Sequence, residues 1–370
     1  MVLRDIHTIF ESWAPRELAW ERDSTGLQVG SMRRNVRKIL TALDVTDEVV
    51  EEARRKNVDL IISHHPLLFH PVRSVNTDER VGRIVERLAA RGIALYAAHT
   101  NLDFTREGVS SALAERLGIQ NLDVLRKDQR IDKKIVVFVP LEYAEKVVSA
   151  MAGAGAGRIG NYERCSFRVE GTGAFTPSRG ARPFTGKPGR ERLVDEVRLE
   201  MALPAWSVER VIAAMRSAHP YEEVAYDLYD LSNASNWYGA GVIGELKREM
   251  TLGKFLGRVR QTLNAAGIRY TGDPKRSIRR VAACGGSGSD LLPVAISRGA
   301  DVFLTADVTY HTFQECDGRI ALIDAGHFET EQPIVPRIIA RLKAHPMVRK
   351  NKVQVLPSTS TRNFISYKWS

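Results

Sequence analysis

The chain has 370 residues, 44% of them hydrophobic and 26% charged, with a formal net charge of +10. That length exceeds one ordinary core and predicts two or three domains, and the composition is that of a soluble globular protein. No apolar run approaches the roughly 20 residues that span a bilayer, which argues against a helical membrane protein.

The opening segment Met1–His7 lacks a signal-peptide core, so a cytoplasmic location is expected. Cys165, Cys284 and Cys316 are far apart with no CxxC, as befits reduced thiols rather than a disulfide framework. The positive charge is spread along the chain without a polybasic tail. Solubility accounts for it, and nucleic acid is not an expected partner.

In chain order, Leu3 to about Trp13 has apolar residues at helical spacing and stops at Ala14-Pro15. Gly26–Gly30 is a turn with a short strand and lacks the GxGxxG spacing of a dinucleotide fingerprint. Lys38–Val45 is a strand ending near Asp44, and Thr46 is placed to cap the helix that follows. Asp59–Ser63 is an apolar run of the kind found in a buried parallel strand, and His64, His65 and Pro66 end it. In open α/β sheets the ligand crevice lies at the carboxyl ends of strands, where these two histidines fall. A helix over about 78–91 ends at Gly92. A further buried strand, Ile93–Ala98, then delivers His99-Thr100-Asn101-Leu102-Asp103.

From about Leu125 the texture changes. Strand and helix patterns between 126 and 239 follow a repeated β-α-β order, which predicts an inserted ferredoxin-like α+β domain. Within it, residues 171–189 are rich in Gly, Pro, Arg and Lys and read as a long loop. Its basic residues Arg179, Arg182, Lys187, Arg190 and Arg192 suit either an anion or plain solvation.

The α/β pattern returns after 240. A short strand covers Gly241–Gly244, and Thr251 caps a helix to about Leu263. Gly285-Gly286-Ser287-Gly288 follows a strand and offers backbone N–H groups to an anion, although it lacks the GK[ST] end of a P-loop. One more strand ends at Asp307, with His311 a helical turn on, and the last central strand delivers His327 and Glu331. The fold class is therefore α/β, with mixed and parallel sheets flanked by helices. Its main domain is discontinuous, 1–125 with 240–370, around the insert at 126–239.

Three strand ends thus offer His64, His65, Asp103, His327 and Glu331, with His99 beside them. On a helix the i, i+4 pair His327/Glu331 shares one face, while Glu329 points elsewhere. The bland alternative makes each of these a hydrogen-bonded polar residue at a strand end. Five nitrogen and oxygen ligands exceed what one tetrahedral zinc needs, and a carboxylate can bridge two ions roughly 3.5–4 Å apart.

The segments GLQVG, SHHPLLF, AHTNLD, CGGSG, TADVTYH and DAGHFETE resemble those of the NGG-interacting-factor-like (NIF-three-like) family, whose members are also named GTP cyclohydrolase 1 type 2 homologues. The resemblance covers nearly the whole chain, and the insert looks like the PII/CutA-like domain of longer bacterial members. It implies a dinuclear site of two divalent ions (zinc, manganese or iron). One ion falls to His65, Asp103 and Glu331, the other to His64, His327 and the bridging Glu331. It further implies a toroidal homohexamer. One departure is Arg22-Asp23-Ser24-Thr25, where the family usually has Trp-Asp-Asn, and it touches no proposed ligand.

The leading functional expectation is a metal-dependent hydrolase that opens the guanine ring of GTP with a metal-activated water. His99, Asp44, Asp307 and His311 are the candidates for proton transfer. The alternative is a non-catalytic metal-binding or metal-delivery regulator whose insert senses a ligand.

Overall fold

The computed structural model describes residues 1–129, 132–160 and 162–368. Two compact units are present, Met1–Arg126 with Trp237–Ser370, and Lys127–Asn236. Among the described residues no helix is long and apolar enough to cross a membrane.

The larger unit contains two sheets. The first runs in the spatial order Gly26–Val29, Ala94–Ala97, Leu60–Ser63, Lys38–Ala42, Gln354–Pro357. Its four strands from Ala94–Ala97 to Gln354–Pro357 are parallel, and Gly26–Val29 lies antiparallel at the edge. Both faces are covered, as the unbroken apolar runs require. Leu60 and Ile62 enter one core with Leu3, Ile6 and Phe10 of the first helix, while Ile61 enters a second core with Val49, Ile84 and Leu88. The local stops act as their chemistry dictates. Thr46 accepts a hydrogen bond from the Val49 amide at the start of the helix Asp47–Arg55, and Gly92 takes φ +61° just past the helix Arg80–Ala90.

The second sheet runs Arg269–Thr271, Ala321–Asp324, Val302–Ala306, Ser277–Ser287, Ala234–Thr251, Ile119–Gln129. Its three central strands, Ala321–Asp324, Val302–Ala306 and Ser277–Ser287, are parallel. Here too alternate residues serve two cores: Val281, Val302 and Ile323 in one, Ala282, Phe303 and Leu322 in the other. The expected short strand at Gly241–Gly244 is the middle of this much longer one, Ala234–Thr251. The carboxyl ends of Leu60–Ser63, Ala94–Ala97 and Ala321–Asp324 are the strand ends that carry the histidines, and they come from both sheets.

The smaller unit is a four-stranded antiparallel sheet in the order Phe167–Phe175, Arg192–Pro204, Asp132–Pro140, Tyr226–Asp230. Helices Ala144–Gly153 and Val208–Ala218 share one core with its inward residues, among them Val137, Val197, Leu199 and Met201. The loop expected over 171–189 is partly strand, since Phe167–Phe175 pairs with Arg192–Pro204 along its whole length. Gly171 and Gly173 concealed this from a reading based on propensity. At Gly173 the Glu196 carboxylate of the next strand lies over the bare backbone, where a Cβ would make it shift.

Candidate metal centre

His64 and His65 follow the strand Leu60–Ser63, and their amides still pair with the neighbouring chain, on the Ala42 and Leu43 carbonyls. Each imidazole is then fixed through Nδ1. His64 Nδ1 lies 2.8 Å from the Ala98 carbonyl oxygen and His65 Nδ1 2.8 Å from Asp44 Oδ1. His99 Nδ1 lies 2.9 Å from Asp23 Oδ1, and His327 Nδ1 lies 2.6 Å from Asp307 Oδ2. Carbonyl and carboxylate oxygens only accept, which assigns the donating proton to Nδ1 in all four rings.

For a neutral ring, the Nε2 lone pair then faces inward. His65 Nε2 is 2.8 Å from Glu331 Oε2 and His327 Nε2 is 3.1 Å from Glu331 Oε1. His64 Nε2 is 3.6 Å from Asp103 Oδ1 and 3.7 Å from Glu331 Oε1. Two sets of ligand-type atoms lie within 4.8 Å of one another and could hold a metal ion, His64/His65/His99 and His65/His327/Glu331.

Lone pairs that face carboxylate oxygens call for positive charge between them. Burial lowers the pKa of His65, yet hydrogen bonds to Asp44 and Glu331 outweigh it and raise the ring to about 10. The Glu331 contact raises His327 against its burial, with help from Asp307, to about 9. Glu331 is buried, which alone lifts a carboxyl, but His64, His327 and His65 together hold it well below the carboxylate range. Burial pushes Asp103 up to about 7 against the pull of His64. The cluster therefore holds protons where divalent cations fit. The buried atoms His64 Nε2 and Asp103 Oδ1 have no hydrogen-bond partner among the described residues, so the donor set suits a metal on an observation independent of charge.

Glycine makes room for this arrangement. Gly286 has φ +67°, and a Cβ on it would lie 2.2 Å from Glu331 Oε1. The turn it belongs to is not an anion cradle. The amides of Gly285, Gly286 and Gly288 donate to the hydroxyls of Ser110, Thr330 and Thr305. A cleft of about 150 Å³ opens on the cluster, with Trp20, Phe104 and Arg126 on its wall.

His64, His65, Asp103, His327 and Glu331 are thus brought together, and His99 joins them. Asp44 and Asp307 sit on Nδ1 atoms, behind the rings they hold. His311 is exposed on the helix Tyr310–Glu315 with its ring against Tyr310, and neither set of converging ligand atoms includes it. Glu329 turns away and accepts from Asn363 at 2.9 Å. Asp23 was not among the expected site residues, yet it binds His99 and the Thr100 amide, the latter at 3.1 Å. The segment Arg22-Asp23-Ser24-Thr25 stands out in the sequence only as a departure from the family's Trp-Asp-Asn, and the role of Asp23 stays hidden because its partner lies 76 residues away.

Residues 1–363 match the family model for DUF34/NIF3, NGG1p interacting factor 3. A protein of Halalkalibacterium halodurans named GTP cyclohydrolase 1 type 2 homolog is 41% identical over 322 residues, which cover 86% of either chain. A Bacillus subtilis protein of the same name is 41% identical over 327 residues, 88% of either chain. A crystal structure of a Bacillus cereus protein related to NIF3 superimposes with TM-score 0.86 at 41% identity, covering 100% of this chain and 99% of that one. On the match to the family model over residues 1–363 and the 41% identity to these relatives, the chain belongs to the DUF34/NIF3 (NGG1p interacting factor 3) family.

Proposed function

We propose that the chain is a dinuclear, divalent-metal-dependent hydrolase acting on a small nucleotide, with GTP as the substrate to test. The observation that supports this is the convergence of three Nδ1-anchored histidines, His64, His65 and His327, on the carboxylates of Asp103 and Glu331, with a fourth, His99, beside His64 and His65. His65, Asp103 and Glu331 would hold one ion, and His64, His327 and Glu331 the other, with zinc, manganese or iron compatible with this donor set. Bound ions of this kind supply a water acidified toward neutrality and polarise the electrophile, here the imidazole ring of guanine that opens with loss of formate.

The chain's own residues then divide the remaining work. Asp44 and Asp307 keep the proton of His65 and His327 on Nδ1. Asp23 does the same for His99, whose Nε2 faces the cluster and is the group placed to take and return a proton. Trp20, 60% exposed beside Phe104 at the cleft, offers a flat surface for a base. A toroidal homohexamer belongs to this reading and is checked by light scattering. So does a ferredoxin-like, PII/CutA-like identity for the insert, supported by its β-α-β-β-α-β element order.

A second reading, a non-catalytic metal-delivery regulator, is favoured by the engagement of Asp23, Asp44 and Asp307 on imidazoles, which removes three carboxylates from acid–base duty. Elemental analysis of wild type, His65→Ala and Glu331→Ala, with formate release from GTP measured on the same preparations, separates the two. About two ions per chain with turnover, both lost in the variants, supports the hydrolase. Two ions without turnover leaves the regulator, and less than one ion in metal-replete wild type removes the metal centre.

A further inference from the structure

The insert contains a cavity of about 670 Å³ that the metal site does not account for. Its floor is the face of the four-stranded sheet turned away from the helices. Val197 and Leu199 enter the core, so Glu196 and Arg198 alternate onto the opposite face, opposite Gly171 and Val169 of the neighbouring strand. Its roof is the 176–191 loop. Pro177, Ala181, Pro183 and Phe184 line the cavity, whereas Arg179, Arg182, Lys187 and Arg190 are exposed on the loop. None of the basic loop residues Arg179, Arg182, Lys187, Arg190 and Arg192 lines this cavity.

The cavity's chemistry is instead aromatic and acidic. Phe175 and Phe184 stand 6.0 and 6.1 Å from the ring of Tyr221. Glu170, Glu196, Glu222 and Glu223 line it against the single guanidinium of Arg198, and Arg198 Nε is paired with Glu200 at 3.0 Å. Glu196 is set in place from two sides: Tyr221 donates its hydroxyl to Oε1 at 2.8 Å, and Oε2 lies over Gly173 where a Cβ would stand. Beside it, a Cβ on Gly171 would meet nothing within 4 Å, so bare backbone floors the cavity. A volume in the few-hundred Å³ range, aromatic and apolar walls and a few placed polar groups, of which Glu196 is held by Tyr221, are the marks of a small-molecule site.

We propose that this cavity binds a small organic cation with a flat apolar body, such as an amidinium or a protonated amino-heterocycle. Its charged edge pairs with Glu196, and its ring lies on the Gly171–Gly173 backbone between Phe175, Phe184 and Tyr221. A carboxylate takes two parallel N–H donors from such an edge, and the aromatic faces favour the positive charge.

The test is calorimetric titration of the full chain with benzamidine, against its neutral and anionic analogues benzamide and benzoate. The expected result is one saturable benzamidine site per insert, at least about tenfold tighter than either analogue. Glu196→Gln weakens benzamidine by about tenfold or more. Gly171→Leu, whose side chain grows into open space and leaves the fold intact, abolishes binding by filling the cavity. No saturable binding up to about 10 mM, equal binding of benzoate, or benzamidine affinity unchanged by Gly171→Leu overturns the proposal.

Discussion

Asp23 accepts a hydrogen bond from His99 Nδ1 at 2.9 Å and ties it to the Thr100 amide at 3.1 Å, so a loop near the start of the chain orients a ring that stands beside His64 and His65. Burial works to raise the Asp23 carboxyl, but His99 and Thr100 together hold it at about 2, and it stays ionised at any working pH. Asp23→Asn keeps the shape and removes the charge. With His99 in proton transfer, turnover falls by about ten- to a hundredfold and its pH profile shifts, while metal content stays at the wild-type level. Loss of metal with turnover would instead make His99 a ligand, and unchanged turnover would take it out of the chemistry.

Asp44 and Asp307 make a separate claim. Each fixes a tautomer: a ring that donates Nδ1–H to a carboxylate presents Nε2 to a cation. Asn in place of either can turn its amide toward the ring and reward the wrong tautomer. Asp44→Asn and Asp307→Asn are each expected to weaken metal binding by about ten- to a hundredfold, read by competition with a chromogenic chelator. Affinities equal to wild type would show that backbone placement alone orients these rings.

The five proposed ligands were legible in the sequence because strand ends concentrate polar chemistry, and short apolar runs mark strands well. What the sequence hid depends on contacts between distant segments. Asp23 stands out only within the departure from Trp-Asp-Asn, its partner His99 being 76 residues away, and the Gly285–Gly288 turn looked like an anion cradle because its internal acceptors, Ser110, Thr305 and Thr330, lie elsewhere in the chain. Phe167–Phe175 was obscured by glycines that propensity counts against a strand, although it pairs with Arg192–Pro204 along its whole length. The histidine-bearing strand ends also come from two sheets, which hydrophobic periodicity cannot distinguish from one.

Gly286 offers a test in which backbone strain and site geometry can be separated. Gly286→Ala forces a side chain into φ +67°, costing roughly 1–2 kcal/mol, and also drives a methyl into Glu331 Oε1. Gly299 has φ +70° with nothing within 4 Å of its Cβ position, so Gly299→Ala incurs the backbone strain alone. Both variants should melt lower than wild type. Only Gly286→Ala should lose metal affinity, by about tenfold or more. Equal metal affinity in the two variants would show that Glu331 can move aside without consequence.

The last relationship to test lies away from the metal. Glu52, 1% exposed on the helix Asp47–Arg55, gathers the chain's end. It accepts from Ser358 Oγ at 2.6 Å, Thr359 Oγ1 at 2.9 Å, and the amides of Thr359 and Ser360 at 3.0 Å, with Lys56 as its charged partner. Burial alone would raise this carboxyl. The donors from Lys56, Ser358, Thr359 and Ser360 outweigh burial and hold it well below the glutamate range. A carboxyl depressed in the folded state binds its proton more readily when unfolded, so its stabilising contribution is complete above the unfolded pKa, about 4.3, and fades as the pH falls. Glu52→Gln, which sets an amide NH₂ against the tail's own N–H donors, should therefore melt below wild type at neutral pH. The gap between the two should narrow as the pH drops below about 4. Melting temperatures of both proteins from neutral to acid pH decide the matter: a gap that keeps its size throughout would mean that the Glu52 charge does not hold the tail.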